Sequence, residues 1–154
     1  GVTPGGCILY RSAEIAERAA FPVSYLSGGK TKHLTLVGTR SGAAVLADWA
    51  QIVRLGESGY IKIVRKSMSL ARSLAERLNQ IDGIRCVKEP ELNVVAFCST
   101  KTDNEILSKR LRAKGWALSF FGEYLRIVVM PHVTEKAVRC FLRDLRKITE
   151  TENA

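Results

Sequence analysis

The chain has 154 residues, 24 Lys+Arg against 15 Asp+Glu for a formal net charge of +9, 46% hydrophobic residues and a mean hydropathy near zero. That apolar content, with 25% charged residues, suffices for a buried core and excludes disordered and collagen-like architectures. No apolar run approaches the roughly 20 residues that cross a bilayer, and the charged-then-apolar layout of a secretory signal is absent. A soluble, cytoplasmic protein is expected.

The chain opens Gly-Val-Thr-Pro-Gly-Gly without a Met and enters the apolar run GCILYR (6–11), which is compatible with a buried strand. Such a start is expected of a piece of a longer chain. SAEIAERAA (12–20) reads as one or two helical turns ended by Phe21-Pro22. From Ser24 to Arg40 the segment is rich in Gly, Ser and Thr without helical period, which predicts a long exposed or partner-contacting loop. Residues 41–55 are apolar nearly all round, with Thr39 or Ser41 as cap and Gly56 beyond the end; a helix apolar on every side is expected to be buried on every side. A strand, a loop and such a helix cannot bury their own surface, so residues 1–55 call for more protein.

Residues 58–80 predict an amphipathic helix with Tyr60, Val64, Met68, Ala71, Leu74, Ala75 and Leu78 on one face. Two extended runs follow, IRCV and NVVAFC, then a helix from about Asp103 to Lys114 with Thr102 and Glu105 at capping-box spacing and Gly115 as its stop. WALSFF and YLRIVV are separated by Gly122-Glu123, a hairpin signal. A last helix runs from Thr134 to about Lys147 with Ala137, Val138, Phe141, Leu142, Leu145 and Ile148 inward. The order predicts helices layered on a small, largely antiparallel α+β sheet.

Cys7, Cys86, Cys98 and Cys140 each lie in an apolar stretch, with no C-x-x-C pair and no neighbouring His, so reduced, buried thiols are expected and a metal site is not. Basic residues cluster at 109–114 and 139–147; they suit phosphate contacts, but equally the C-terminal ends of solvated helices, and no aromatic residues are interleaved for base stacking. Gly38-Thr39-Arg40-Ser41-Gly42 precedes a helix and suits either an anion or simple capping. His132, behind Met130-Pro131, suits support of a strand-to-helix turn. Arg126 lies in LRIVV opposite in face to Leu125, and a strand guanidinium among apolar residues needs a carboxylate, whether structural or from a substrate.

Taken together, GGCILYR, SYLSGG, LVGTRSGAAVLADWA, LGESGYIKIV and YLRIVVMPHVTEKAVRCFLRDL occur in the order and spacing of the C-terminal part of the pyridoxal-phosphate-dependent group II decarboxylases. The chain most resembles the archaeal tyrosine/aspartate decarboxylases and, more distantly, the sphingosine phosphate lyases. The resemblance implies an α/β fold, the type I fold of these enzymes in part: residues 1–55 as the tail of the large cofactor-binding domain and 56–154 as the small C-terminal α+β domain. It implies pyridoxal 5'-phosphate as cofactor of the intact enzyme, with the Schiff-base lysine expected upstream of Gly1, so that this chain alone should be inactive and carry no cofactor. Gly38, Thr39 and Arg40 then resemble the loop that reaches the neighbouring subunit's cofactor phosphate, and Arg126 matches the arginine that meets a substrate carboxylate, with His132 close behind. The expected partners are an amino-acid substrate (tyrosine, aspartate or glutamate) and a second subunit met through 24–40 and the large domain; neither nucleic acid nor membrane is expected. The rival readings are another type I pyridoxal-phosphate lyase or transferase and a basic, non-catalytic nucleic-acid-binding module.

Overall fold

Ser12 starts the first helix, α1 (Ala13–Ala19): its hydroxyl accepts from the backbone N–H of Ile15 at 3.4 Å, and Glu14 pairs with Arg18 one turn on. The coordinates are a computed structural model that describes residues 8–25, 29, 31–35 and 41–150. The chain divides into two units, Gly1–Glu57 and Ser58–Ala154.

In the first unit, Ile8, Leu9 and Tyr10 are not a strand, and Ile8 and Leu9 are exposed at 71% and 90%, which corrects the expectation of a buried strand at 6–11 for the residues described. The long loop expected from Ser24 to Arg40 also needs correction. Thr31–His33 form β2, which pairs antiparallel with β1 (Phe21–Val23), Phe21 facing His33 with ring centroids 6.4 Å apart. Pro22 is tolerated because the ribbon has two strands and both are edges.

The following helix, α2 (Gly42–Asn79), starts at Ser41, whose hydroxyl accepts from the N–H of Ala43 at 3.2 Å. Its helical geometry breaks at Gly56, where φ is 56° and ψ is −175°, a conformation that any Cβ would strain. The first part of α2 is not buried on every side as its composition suggests. Val45, Leu46, Trp49, Ile52 and Val53 are between 58% and 69% exposed. A helix composed for burial stays open here because its unit otherwise holds, among the described residues, one short helix and one hairpin. Val23 is the buried apolar residue of that unit among those described.

The second unit carries the core. Beyond the break, α2 buries Ser67, Ala71, Leu74, Ala75 and Leu78, whereas Tyr60 and Val64 stay 37% and 55% exposed, so the predicted stripe is buried only in its C-terminal half. β3 (Ile84–Cys86), β4 (Val94–Ser99), β5 (Ser119–Phe120) and β6 (Leu125–Val128) form one antiparallel sheet in the order β3-β4-β6-β5. α3 (Asn104–Ala113) is capped by Asp103 rather than by the expected Thr102; its carboxylate accepts from the N–H groups of Glu105 and Ile106 at 2.8 and 3.2 Å. α4 (Glu135–Glu150) begins where the Thr134 hydroxyl accepts from the N–H of Ala137 at 3.2 Å.

Alternation along the strands sorts the sheet into two faces. Val95, Phe97, Leu125 and Ile127 meet Leu74 and Leu78 of α2, Leu107 and Leu111 of α3, and Phe141, Leu142 and Leu145 of α4. Phe141 is the hinge of this cluster, edge-on to Phe97 at 6.1 Å and to Trp116 at 5.4 Å. The opposite face carries Arg85, Ala96, Cys98, Ser119, Arg126 and Val128, of which Cys98 alone is buried. Cys86, Cys98 and Cys140 are free thiols; burial pushes the Cys86 thiol up, with Cys98 adding to it, and its Sγ donates to the Ala75 carbonyl at 3.5 Å. Cys7 lies outside the described residues.

β3 is an edge, and its outward N–H groups are covered: Ile84 donates to the Ile81 carbonyl at 3.0 Å and Cys86 to Asn79 Oδ1 at 2.7 Å. Asn79→Ala should therefore destabilise the unit by about 1 kcal/mol, the net worth of one such bond, and Asn79→Asp, which keeps the acceptor, by less; urea unfolding at constant slope measures both. The indole of Trp116 donates to Asp144 Oδ2 at 3.0 Å, and Arg143 donates to Oδ1. The indole bond first, then Arg143 and Lys114, hold the Asp144 carboxyl below its ordinary value despite opposing desolvation. A depressed carboxyl stabilises the fold above the unfolded-state value, about 3.9, and that share is lost as pH falls through the folded-state value. Asp144→Asn keeps an acceptor for the indole, so its unfolding free energy should be flatter than wild type between about pH 5 and pH 2; parallel slopes would show that the pair is not what titrates.

Candidate functional site

The hairpin of β5 and β6 builds the site. Gly122, with φ of 74°, lets the chain reverse, Phe121 N–H donates to the Tyr124 carbonyl at 3.0 Å, and Asn104 Nδ2 donates to the Glu123 carbonyl at 3.0 Å, tying the turn to the start of α3. Phe121 and Tyr124 therefore face each other across the turn, stacked at 5.4 Å and 21°. Tyr124 is two residues before Arg126, so the period of the strand puts both on the face away from the helices.

Arg126 is the centre of that face. In register it lies between Ala96 of β4 and Ser119 of β5, and both are small. Its Cζ sits over the Phe121 ring, 4.7 Å from the centroid. Its Nε is buried and has no hydrogen-bond partner, the one such side-chain atom among the described residues. A buried cationic donor left unpaired is costly, and a planar fork of N–H groups beside small neighbours suits a carboxylate. Of the two partners open to Arg126 from sequence, a structural carboxylate is not found on its Nε.

The end of β6 is held by Asn93: its carbonyl accepts from Val129 N–H at 2.7 Å and its Nδ2 donates to the Val129 carbonyl at 3.0 Å. The turn from Met130 to Val133 closes with a 2.9 Å backbone bond and places His132 exposed at the surface. Among the described residues no hydrogen bond joins His132 to Arg126. Gly38, Thr39 and Arg40 lie outside the described residues. Phe121 and Tyr124 were not singled out by the sequence, although two aromatics flanking a Gly-Glu turn at the parity of Arg126 are a readable signal. The basic clusters on α3 and α4 are exposed, and several of their members are ion-paired: Lys109 to Glu105 at 2.7 Å, Arg139 to Glu135 at 3.8 Å, Arg143 to Asp144 at 3.0 Å. No helix among the described residues is long and apolar enough to cross a membrane.

The structure is similar to that of the sphingosine-1-phosphate lyase of Burkholderia pseudomallei, with a TM-score of 0.76 at 24% identity over 92% of this chain and 32% of that one. The fold is thus that of part of a type I pyridoxal-phosphate enzyme, as in the other solved structures that it matches. No protein-family model matches the chain. Its sequence relatives are named as amino-acid decarboxylases: it is 44% identical to the L-aspartate decarboxylase of Thermococcus kodakarensis over 96% of its own length. It is also 37% identical to a probable L-tyrosine/L-aspartate decarboxylase of Methanothermobacter thermautotrophicus over 94% of its length. The chain spans 38% and 40% of the length of those two proteins.

Proposed function

We propose that this chain supplies the small-domain half of the substrate site in a pyridoxal-phosphate-dependent amino-acid decarboxylase acting on aspartate, tyrosine or glutamate. The observation that carries it is Arg126, which has no carboxylate partner among the described residues, on the sheet face away from the helices, in a chain whose relatives are named for decarboxylation of amino acids. When bound, pyridoxal phosphate supplies the electron sink for the pair left by loss of carbon dioxide. Arg126 binds and orients a substrate carboxylate through its N–H edge, and His132, on the exposed turn close behind β6, assists it in substrate binding. Gly38, Thr39 and Arg40 would hold the cofactor phosphate of a neighbouring subunit. Residues 1–55 are the tail of the large domain and 56–154 the small domain of a cytoplasmic homodimer. The exposed apolar face of α2 at Val45, Leu46, Trp49, Ile52 and Val53 fits that reading, because it is surface that wants a protein cover.

The test joins this chain to the portion of the Thermococcus kodakarensis enzyme outside the matched segment and measures carbon dioxide release. Release from L-aspartate, L-tyrosine or L-glutamate by the joined protein, and none by this chain alone, is the expected result. A folded, pyridoxal-loaded hybrid that releases none from any of the three would overturn the reading.

A further inference from the structure

Arg126 can serve a substrate only if its guanidinium is held still, and no hydrogen bond of its Nε does that. Ala96 and Ser119, its cross-strand neighbours, are too small to confine it. What does touch it is the Phe121 ring, 4.7 Å from Cζ. That ring is itself stacked against Tyr124 and fixed at its base by the hairpin turn, which Asn104 pins to α3. We infer that Phe121 is the positioning residue of the site: its ring holds the Arg126 guanidinium by its flat face, backed by Tyr124, and so leaves the N–H edge free for a carboxylate. This rests on the role given to Arg126 under the proposed function.

The chemistry supports the division of labour. A guanidinium can stack on an aromatic face and still offer its N–H groups in the plane, because the ring meets the cation's face and a carboxylate meets its edge. Holding the long side chain in the folded protein means that its rotamer freedom is not lost again when substrate binds. Phe121 is 48% exposed, so its contribution to the core is small and its removal should be felt mainly at the site. A cation–π contact of this kind corresponds to a change in affinity of about three- to thirty-fold.

The hybrid enzyme described above is the protein to test. Phe121→Leu should raise KM for L-aspartate by about three- to thirty-fold and leave kcat within about twofold, while Phe121→Tyr, which keeps a ring, should stay near wild type. A KM unchanged in Phe121→Leu while Arg126→Ala raises it would overturn the positioning role and leave the proposed function standing. If Arg126→Ala changes neither parameter, the role of Arg126 itself fails. A second readout needs no activity: in this chain labelled on arginine, the Arg126 Nε–H proton, identified by its absence in Arg126→Lys, should resonate upfield under the Phe121 ring. It should return to the ordinary arginine position in Phe121→Leu; the same shift in both proteins would show that the ring does not hold the guanidinium.

Discussion

Replacing Phe97 by Ala should cost the second unit about 3–5 kcal/mol, the range for deleting a large buried aromatic. Phe97 has no exposed surface, and it stands where the sheet meets the helices, with Val95 and Leu125 in the same cluster and Phe141 edge-on to it. The loss has two sources. One is the transfer free energy of the ring with the cavity it leaves, and the other is the edge-to-face contact, about 0.5–1.5 kcal/mol beyond burial. Phe141 would also lose the support that keeps it against Trp116, so the damage should spread toward α4 rather than stay on β4. Against a domain stability of about 5–15 kcal/mol this is a large fraction, and in urea it should lower the midpoint by about 2 M at nearly constant slope. Phe97→Leu, which refills most of the volume, should cost less than half as much. A loss under about 1 kcal/mol for the Ala variant would mean that the cluster relaxes around the gap and is not close-packed.

The core of the second unit was legible because amphipathic period and turn residues are local facts. The inward stripe of α4 from Val138 to Ile148, the strands IRCV and VVAFC, and the hairpin about Gly122-Glu123 all lie where the pattern put them. Thr31–His33 escaped notice because Thr-Lys-His has no apolar alternation; it is a strand through its pairing with β1. The cap of α3 moved by one residue, since Thr102 and Asp103 both carry a suitable oxygen and only backbone geometry chooses between them. The exposure of Val45 to Val53 runs against what their composition predicts. Composition says that a surface wants covering, and it does not say which protein covers it. At the site, parity along YLRIVV put Arg126 on the open face, but its aromatic support comes from across a turn, where sequence distance hides a contact at 4.7 Å.

Arg126→Ala should lower kcat/KM of the hybrid decarboxylase by about 10²- to 10³-fold, the cost of removing one partner from a desolvated, charge-assisted pair. Which parameter moves depends on what Arg126 does. An arginine that gripped the departing carboxylate would stabilise the ground state and oppose the loss of carbon dioxide, because only interactions stronger in the transition state accelerate the step. On the proposed function, Arg126 would therefore orient the substrate or hold a carboxylate that stays, and the loss should fall mainly in KM. Two substrates separate those cases. If Arg126 holds the distal carboxylate, the Ala variant loses aspartate and spares tyrosine; if it orients the carboxylate that both share, the two fall together. Arg126→Lys keeps the charge but gives up the planar fork and the flat face that Phe121 meets, so it should recover about tenfold at most. An Ala variant with kcat/KM unchanged for every substrate would remove Arg126 from the site, and the unpaired Nε on the open face of β6 would then need a partner from another part of the enzyme.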